Sequence, residues 1–171
     1  MKDSRNLLRL NVGFIIHETV GFGREFEISA EKIHLNPDLD LEHLNGSVKI
    51  TRMAHGLLLQ VQMSAFNNTD CVRCLDTFPQ KLQIDFTDLY TFSHHVEDSS
   101  DLIVPDDGVL DLGPSIREEA LLAIPINPQC SLDCKGLCPV CGENRNNVDC
   151  QHEQEIIDPR MEALKSLLDE E

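Results

Sequence analysis

The chain is poor in aromatic residues and in positive charge. Its 171 residues include no tryptophan and a single tyrosine, and 14 Lys and Arg stand against 30 Asp and Glu, which gives a formal net charge of −16 at pH 7. A protein that binds phosphates without sequence preference needs a basic stripe, so we do not expect nonspecific nucleic-acid binding over the whole surface. A local basic patch, an acidic surface that docks a basic protein, and acidity that only maintains solubility all stay open.

Long hydrophobic runs are also missing. The longest ones, such as 57–59 and 121–124, are far too short to cross a bilayer. The first residues carry charges and contain no continuous apolar stretch followed by a small-residue cleavage site. We therefore expect no membrane segment, no signal peptide and a cytoplasmic location.

The first half of the chain does contain the two-residue hydrophobic period of β-strands. In 56–66 one face is apolar, with Leu57, Leu59, Val61, Met63 and Ala65. This alternation predicts a hairpin over 47–66. Further extended segments are predicted at 8–14, 22–28, 82–92 and 102–104. The Asn45-Gly46 pair predicts a turn within the polar stretch 36–47.

Helix signals come later in the chain. Pro114 can occupy the first turn of a helix that Pro125 ends, and Asp158-Pro159 predicts the start of a short C-terminal helix. Strands first and helices afterwards, without βαβ alternation, predict an α+β fold built on an antiparallel sheet or open barrel. We expect a mainly β domain with one helix over 1–128, and a cysteine-rich segment with the short C-terminal helix over 129–171.

The seven cysteines fall into two groups. Cys71 and Cys74 form one, and the other five lie between Cys130 and Cys150. Without a secretory signal, such spacing indicates metal binding more often than a disulfide framework. We therefore predict that 130–152 is a small reduced zinc-binding segment.

The strongest signal is the turn Cys138-Pro139-Val140-Cys141-Gly142. Two cysteines with two residues between them can direct both sulfurs at one metal ion, and a following glycine permits the left-handed backbone of such turns. We expect Cys134 and Cys150 to complete a tetrahedral structural site, with Cys130 and His152 as reserves. Excess sulfur favours a closed site over a catalytic one with an open position, and a cluster of ordinary buried thiols is the alternative.

Cys71-Val72-Arg73-Cys74 is a weaker signal of the same kind. Three interpretations stay open: the pair joins the downstream cysteines on one metal, acts as a redox pair, or packs as structural thiols under the sheet. The redox interpretation needs a thiol of depressed pKa, usually in a thioredoxin-like βαβ context, which this chain lacks.

These motifs together resemble the YceD family, the large ribosomal RNA subunit accumulation proteins. The resemblance lies in CVRCLDTF, REEALLAIPINPQC, DCKGLCPVCGENRN and DPRMEALKSLL, and it extends to LRLNVGFIIHETVG near the start. It implies a small bacterial or chloroplast protein that is needed for 23S ribosomal RNA accumulation and large-subunit assembly, with Cys71–Cys74 as the core motif. The usual Cys-x-Cys ending is here Cys150-Gln151-His152, which leaves the last metal ligand open.

We therefore expect a non-catalytic assembly factor with a structural zinc. Arg73, beside Cys71 and Cys74, is a candidate contact residue, although it could equally be a surface arginine paired with a neighbouring acid. The net charge favours a ribosomal protein or assembly factor as the partner, with contact to the rRNA precursor only indirect, and no small-molecule substrate is identified. The alternatives are a zinc-dependent hydrolase or deaminase, and a thiol-redox protein.

Overall fold

Five strands form the main sheet of the protein. The computed structural model describes residues 7–93 and 102–151. The sheet has the order β2-β3-β4-β5-β6, with antiparallel pairing throughout except between β5 and β6, which are parallel. Its strands are β2 (Gly23–Leu35), β3 (Leu39–Arg52), β4 (Gly56–Asp70), β5 (Thr77–Thr91) and β6 (Leu102–Ile103).

A second, smaller layer covers one face of this sheet. It contains the two-stranded antiparallel sheet of β1 (Arg9–Asn11) and β7 (Val109–Asp111), together with α1 (Gly13–Ile16) and α2 (Gly113–Ala123). The helix α2 packs mainly on β5, and Ile116 and Ala120 supply its buried side. Apolar side chains from the sheet and from these elements form one hydrophobic core.

The two-residue period accounts for how the strands bury one face. Along β4, the predicted apolar positions Leu57, Leu59, Val61, Met63 and Ala65 are all buried. The hairpin predicted over 47–66 is present as β3 and β4, whose register pairs Val48 with Val61. The helix that Pro114 begins is also confirmed as α2, and the short extended piece after residue 101 is β6.

The turn predicted at Asn45-Gly46 is wrong. Both residues lie inside β3, and Gly46 pairs with Met63 of β4. A Cβ atom built on Gly46 would overlap the carbonyl oxygen of Gln62 and the Cα of Met63. The glycine serves close approach of two strands here, and it follows an irregularity in register between Glu42 and Asn45.

The predictions for the N-terminal strand and the C-terminal helix have different outcomes. The N-terminal extended segment is only partly a strand, because β1 ends at Asn11 and α1 follows from Gly13. The C-terminal helix predicted from Asp158 lies outside the described residues. The α+β expectation therefore holds in part: the described chain is mostly sheet with few helices. No helix in 7–93 or 102–151 is long and apolar enough to span a bilayer.

The chain divides into two compact units. Unit 1 comprises Met1–Val72 and Asp76–Cys130, and unit 2 comprises Arg73–Leu75 and Ser131–Glu171, each as far as it is described. The hydrophobic core belongs entirely to unit 1. Within the described part of unit 2, the buried positions are only Cys74, Cys134, Gly136 and Cys138.

Gly46→Ala tests the close approach of β3 and β4. We expect it to lower the free energy of unfolding by about 2 kcal/mol, because the added methyl group must push the strands apart. Thermal unfolding followed by circular dichroism would measure the change. Ser29→Ala, at an exposed position of β2, is the control and should shift the melting temperature little. Equal effects of the two substitutions would contradict the packing argument.

Candidate metal centres

None of the seven cysteines is in a disulfide. Cys71, Cys74, Cys134 and Cys138 are at most 3% exposed. Thiols this well buried, on segments with few apolar neighbours, need another reason to gather.

The turn at Cys138 has the backbone of a metal-binding knuckle. Gly142 adopts a φ of +73°, and its N–H donates to the carbonyl oxygen of Cys138 over 2.9 Å. The N–H of Cys138 donates in turn to the carbonyl oxygen of Glu143 over 2.8 Å. The chain thus folds back on itself around Cys138 and Cys141, as the sequence predicts.

Three sulfurs gather at this knuckle. The Sγ atoms of Cys138, Cys141 and Cys150 all lie within 4.8 Å of one another. In a tetrahedral zinc site with Zn–S bonds of about 2.3 Å, neighbouring sulfurs are separated by about 3.8 Å. The three thiols therefore form a cluster that could hold a metal ion.

The knuckle also favours the thiolate that a metal binds. The backbone N–H groups of Cys141 and Val140 lower the pKa of the Cys138 thiol to about 6, while burial acts in the opposite direction. Hydrogen bonds from the Cys150 and Cys141 side chains lower it further. These contacts favour the thiolate of Cys138, which is the form that coordinates metal.

The turn at Cys71 has the same backbone pattern. The N–H of Cys71 donates to the carbonyl oxygen of Asp76 over 3.0 Å, five residues ahead, as Cys138 donates to Glu143. Leu75 follows the second cysteine with a φ of +62°, in the place that Gly142 takes in the other turn. A left-handed leucine is uncommon, so the backbone reveals a knuckle that its residue type conceals.

In unit 1, the Cys71 turn is tied to the segment before Cys130. The N–H of Val72 donates to the carbonyl oxygen of Pro128 over 3.0 Å. The sulfurs of Cys71 and Cys130 lie within 4.8 Å of each other. Cys130 itself is exposed.

In unit 2, the residues that follow Cys71 meet the segment that leads to Cys138. The N–H of Leu137 donates to the carbonyl oxygen of Arg73 over 3.0 Å. Gly136 has a φ of +73°, and a Cβ there would lie 3.0 Å from the same Arg73 oxygen. In the same unit, the sulfurs of Cys74 and Cys134 lie within 4.8 Å of each other.

Asn146 is a supporting residue that sequence reasoning missed. Its Nδ2 donates to the sulfur of Cys134 over 3.4 Å, and its Oδ1 accepts from the N–H of Lys135 over 2.8 Å. Hydrogen bonds of this kind fix a sulfur ligand and stabilise its charge. No spacing signal identifies Asn146, because its role depends on the fold of the loop.

The structure distributes the predicted ligands differently from the sequence. It brings Cys138, Cys141 and Cys150 together and places Cys134 beside Cys74. Cys130, held in reserve, lies beside Cys71. His152, the other reserve, lies outside the described residues. The equal spacing of the two Cys-x-x-Cys turns was the signal that could have separated the cysteines into two groups.

Charge in the described part of unit 2 is balanced, unlike the chain as a whole. Its acidic residues are Asp133, Glu143 and Asp149, and its basic residues are Arg73, Lys135 and Arg145. The three basic residues are exposed and stand on backbone segments that meet at Gly136. Arg145 donates its N–H to the Gly136 carbonyl over 2.9 Å, Lys135 precedes Gly136, and Arg73 packs against it.

These features define the class of the protein. It is a mostly antiparallel β protein that carries a cysteine knuckle, with a cluster of sulfurs able to hold a metal ion. The family model described as "Large ribosomal RNA subunit accumulation protein YceD" matches residues 59–168. Since this match covers well over half of the chain, the protein belongs to the YceD family.

Relatives of this chain occur in several bacteria. It is 28% identical over 161 residues to an uncharacterized protein of Mycobacterium tuberculosis (strain ATCC 25618 / H37Rv), which covers 91% of this chain and 74% of the relative. It is 32% identical over 101 residues to the uncharacterized protein YlbN of Bacillus subtilis (strain 168), which covers 57% of this chain and 58% of that protein. No solved structure matches the chain.

Gly142→Ala tests the knuckle. An alanine forced to a φ of +73° costs about 1 kcal/mol, which corresponds to roughly five-fold weaker metal binding if the turn folds with its ion. Competition between the protein and a chromogenic chelator for zinc would measure the affinity. Gly21→Ala is the matched control, because Gly21 also has a positive φ and, like Gly142, open space around its Cα, but it precedes β2. An equal loss of zinc affinity in both variants would contradict a special role of the knuckle.

Proposed function

We propose that this protein is a non-catalytic cytoplasmic factor for accumulation of the large-subunit ribosomal RNA and assembly of the large ribosomal subunit. The observation that carries the proposal is membership of the family described by that RNA accumulation. The structure supports a binding role, because the described residues around the cysteines present preformed backbone turns.

A structural zinc held by Cys138, Cys141 and Cys150 is part of this proposal. Three thiolates at one knuckle match the ligand type and spacing that structural zinc uses. His152 is the fourth ligand that we propose, since only one residue separates it from Cys150 and a neutral imidazole completes such sites. The neighbourhood of Cys134 and Cys74 makes Cys134 a poor fourth ligand for this ion.

Metal is needed here for stability. The described part of unit 2 contributes no side chain to the hydrophobic core, and Val140 and Val148 in it are exposed. A segment with so little apolar burial cannot offset the entropy of ordering its backbone. Zinc binding supplies that free energy in small metal-organised segments.

The enzymatic alternatives receive less support from the same residues. A catalytic zinc keeps an open position and an acid or base beside it. Glu143 uses its backbone carbonyl to close the knuckle, and sulfur-rich coordination favours a closed site. For the redox alternative, Cys71 and Cys74 lie in a turn after β4, without the helix N-terminus that lowers a thiol pKa.

The contact surface that we propose has a positively charged part and a negatively charged part. Arg73, Lys135 and Arg145, on turns fixed around Gly136, can pair with carboxylate or phosphate groups of an assembling particle. Acidic and basic residues are balanced in the described part of unit 2, so the net charge of −16 comes from the rest of the chain. This negative charge favours a basic ribosomal protein or assembly factor as the direct partner. Contact with the rRNA precursor is then indirect.

Cells that lack the protein should contain less 23S relative to 16S ribosomal RNA, and wild-type protein should restore the ratio. Arg73→Ala should restore it less well and should reduce cosedimentation with large-subunit precursors, because it removes an exposed charge without altering the turn. Lys81→Ala, an exposed charge on β5, is the control and should restore the ratio fully. RNA gel analysis and sucrose gradients measure both effects.

Ribonuclease treatment distinguishes the two kinds of partner. With a protein partner, we expect the tagged protein to copurify with large-subunit proteins after RNA digestion. Association that disappears whenever RNA is digested would contradict the preference for a protein partner. An unchanged 23S level in cells without the protein would contradict the assembly role itself.

Chelation should affect the stability of the two units differently, because we expect only unit 2 to depend on metal. After removal of zinc from the full chain, we expect amides of 131–151 to lose protection from hydrogen exchange. Amides in the pairing of β3 with β4 should retain theirs, because apolar packing stabilises that region. Hydrogen exchange followed by mass spectrometry measures both regions in one sample. Full protection of 131–151 without metal would contradict a structural role of zinc.

A further inference from the structure

We infer that the outer edge of β2 binds an extended basic segment of a partner protein as an added strand of the main sheet. The site lies in unit 1 alone. The inference rests on the proposed function for the existence of a basic protein partner, and it adds where that partner binds and in which conformation. A strand at the edge of a sheet presents backbone N–H and C=O groups with which an extended peptide can pair.

The edge of the sheet at β2 is long. β2 has 13 residues, well above the usual strand length of about six, and in the described chain its one neighbouring strand is β3. In the part of the chain that the structure describes, no backbone hydrogen bond joins Gly23–Leu35 to any other element. The strand contains no proline that would block an approaching peptide.

The register with β3 assigns the backbone groups that point outward. The N–H of Arg52 donates to the carbonyl oxygen of Phe22 over 2.8 Å, and this register continues unbroken over the first eight residues of β2. Hydrogen-bonded pairs alternate along an antiparallel ladder, so the even-numbered residues of this stretch bond to β3. Glu25, Glu27 and Ser29 therefore direct their N–H and C=O groups away from the sheet.

The side chains of the outward-pointing residues are exposed and mainly acidic. Glu25 and Glu27 are exposed, whereas Ile28 on the other face is buried. On β3, Lys49 stands opposite Glu25 and Ser47 stands opposite Glu27. Neither glutamate forms an ion pair with a described residue. Their Cα atoms are about 7 Å apart, which is also the spacing of alternate side chains on an added strand.

Charge decides which strand fits this edge. Lysine or arginine at alternate positions of an added strand would lie beside Glu25 and Glu27, and opposite charges across such a pair stabilise it. A second copy of β2 in its central registers would place Glu25 opposite Glu27, or Glu27 opposite its own copy, which is destabilising. Arg24 does not offset the acidic pair, because it lies on the other face, over the ring of Phe14 at 5.1 Å.

The opposite side of the sheet is protected against strand addition. There β6 pairs with only two residues of β5. The N–H of Phe92 donates to the carbonyl oxygen of His55, and the same alternation makes the odd-numbered residues of β5 point away from β4. Pro79 occupies such a position and has no N–H, and the exposed cation Lys81 follows it. Proline and lysine discourage pairing at an edge, and 23–30 contains neither.

Binding of a probe peptide to the full chain tests the role of charge. The probe is a short fluorescent peptide in which lysine alternates with valine, and fluorescence anisotropy measures its affinity. We expect Glu27→Lys to weaken binding about five-fold, because the reversed charge repels the probe. Asp85→Lys is the matched control. It changes the net charge equally and is exposed in the same cross-strand row, three strands from Glu27.

The control should weaken binding of the probe less than about two-fold, since distant exposed charges are screened. An equal loss in both variants would overturn the inference, because the probe would then be attracted by the acidic surface as a whole. Wild-type protein that does not bind the probe would overturn it as well.

Ser29→Pro tests the role of the backbone. It removes an N–H that points away from β3 and changes no charge, so we expect about ten-fold weaker binding of the probe. Ser29→Ala keeps the N–H and should bind as the wild type does. Unchanged binding by folded Ser29→Pro protein would overturn strand addition. If that variant does not fold, hydrogen exchange of the wild type decides: the probe should increase protection of amides in 23–31, and unchanged protection would overturn the inference.

Purification from cells separates this inference from the proposed function. Tagged Glu27→Lys protein should retain fewer large-subunit proteins after ribonuclease treatment than Asp85→Lys protein. Full retention by Glu27→Lys would overturn the β2 edge as the binding site and leave the proposed function intact. Edge-dependent binding of the probe, together with an unchanged 23S level in cells without the protein, would support the strand-addition site and contradict the proposed function.

Discussion

In the described part of unit 2, thiol groups rather than apolar side chains gather in the buried positions. In unit 1, strands with alternating apolar residues bury one face against a small layer of helices. In the described part of unit 2, buried side chains are cysteines, and the exposed Leu132 and Val148 contribute nothing to a core. Thiolates that share a cation gain much more free energy per residue than the few apolar contacts of such a loop could give. In the metal-bound form that we propose, the backbone hydrogen bonds of the described part of unit 2 depend on this constraint.

Backbone conformation shows what the residue types hide. Gly142 is an expected residue for a left-handed turn, but Leu75 is not, since a side chain at positive φ meets the neighbouring carbonyl. With 64% of its surface exposed, Leu75 gains little from apolar burial in that position. The turn at Cys71 is therefore held by its surroundings, namely the bonds of Val72 to Pro128 and of Leu137 to Arg73. A conformation that is imposed in this way is typical of a binding turn.

Hydrophobic periodicity and the positions of prolines predicted much of the fold. The hydrophobic alternation along β4 and the prolines around α2 are local signals that span only a few residues. Such structure can therefore be predicted from the local sequence alone. Asn45-Gly46 failed because the same pair suits a tight turn and a close strand contact, and only the position of Gln62 and Met63 decides between them. The site shows the same limit. Spacing identified Cys138 and Cys141, whereas the neighbour of Cys134 depends on a contact with residues about sixty positions earlier, which local patterns do not encode.

The extent of the family match connects this chemistry to function. The matched residues, 59–168, begin within β4 and include all seven cysteines, both knuckle turns and Arg73, but omit β1, β2 and β3. The matched range therefore contains the part of this chain that turns and thiols organise, together with the strands and the helix that lead into it. In this region Arg73, Lys135 and Arg145 are exposed. Exposed charges on hydrogen-bonded turns suit the recognition of a partner, which is the binding role that we propose for this region.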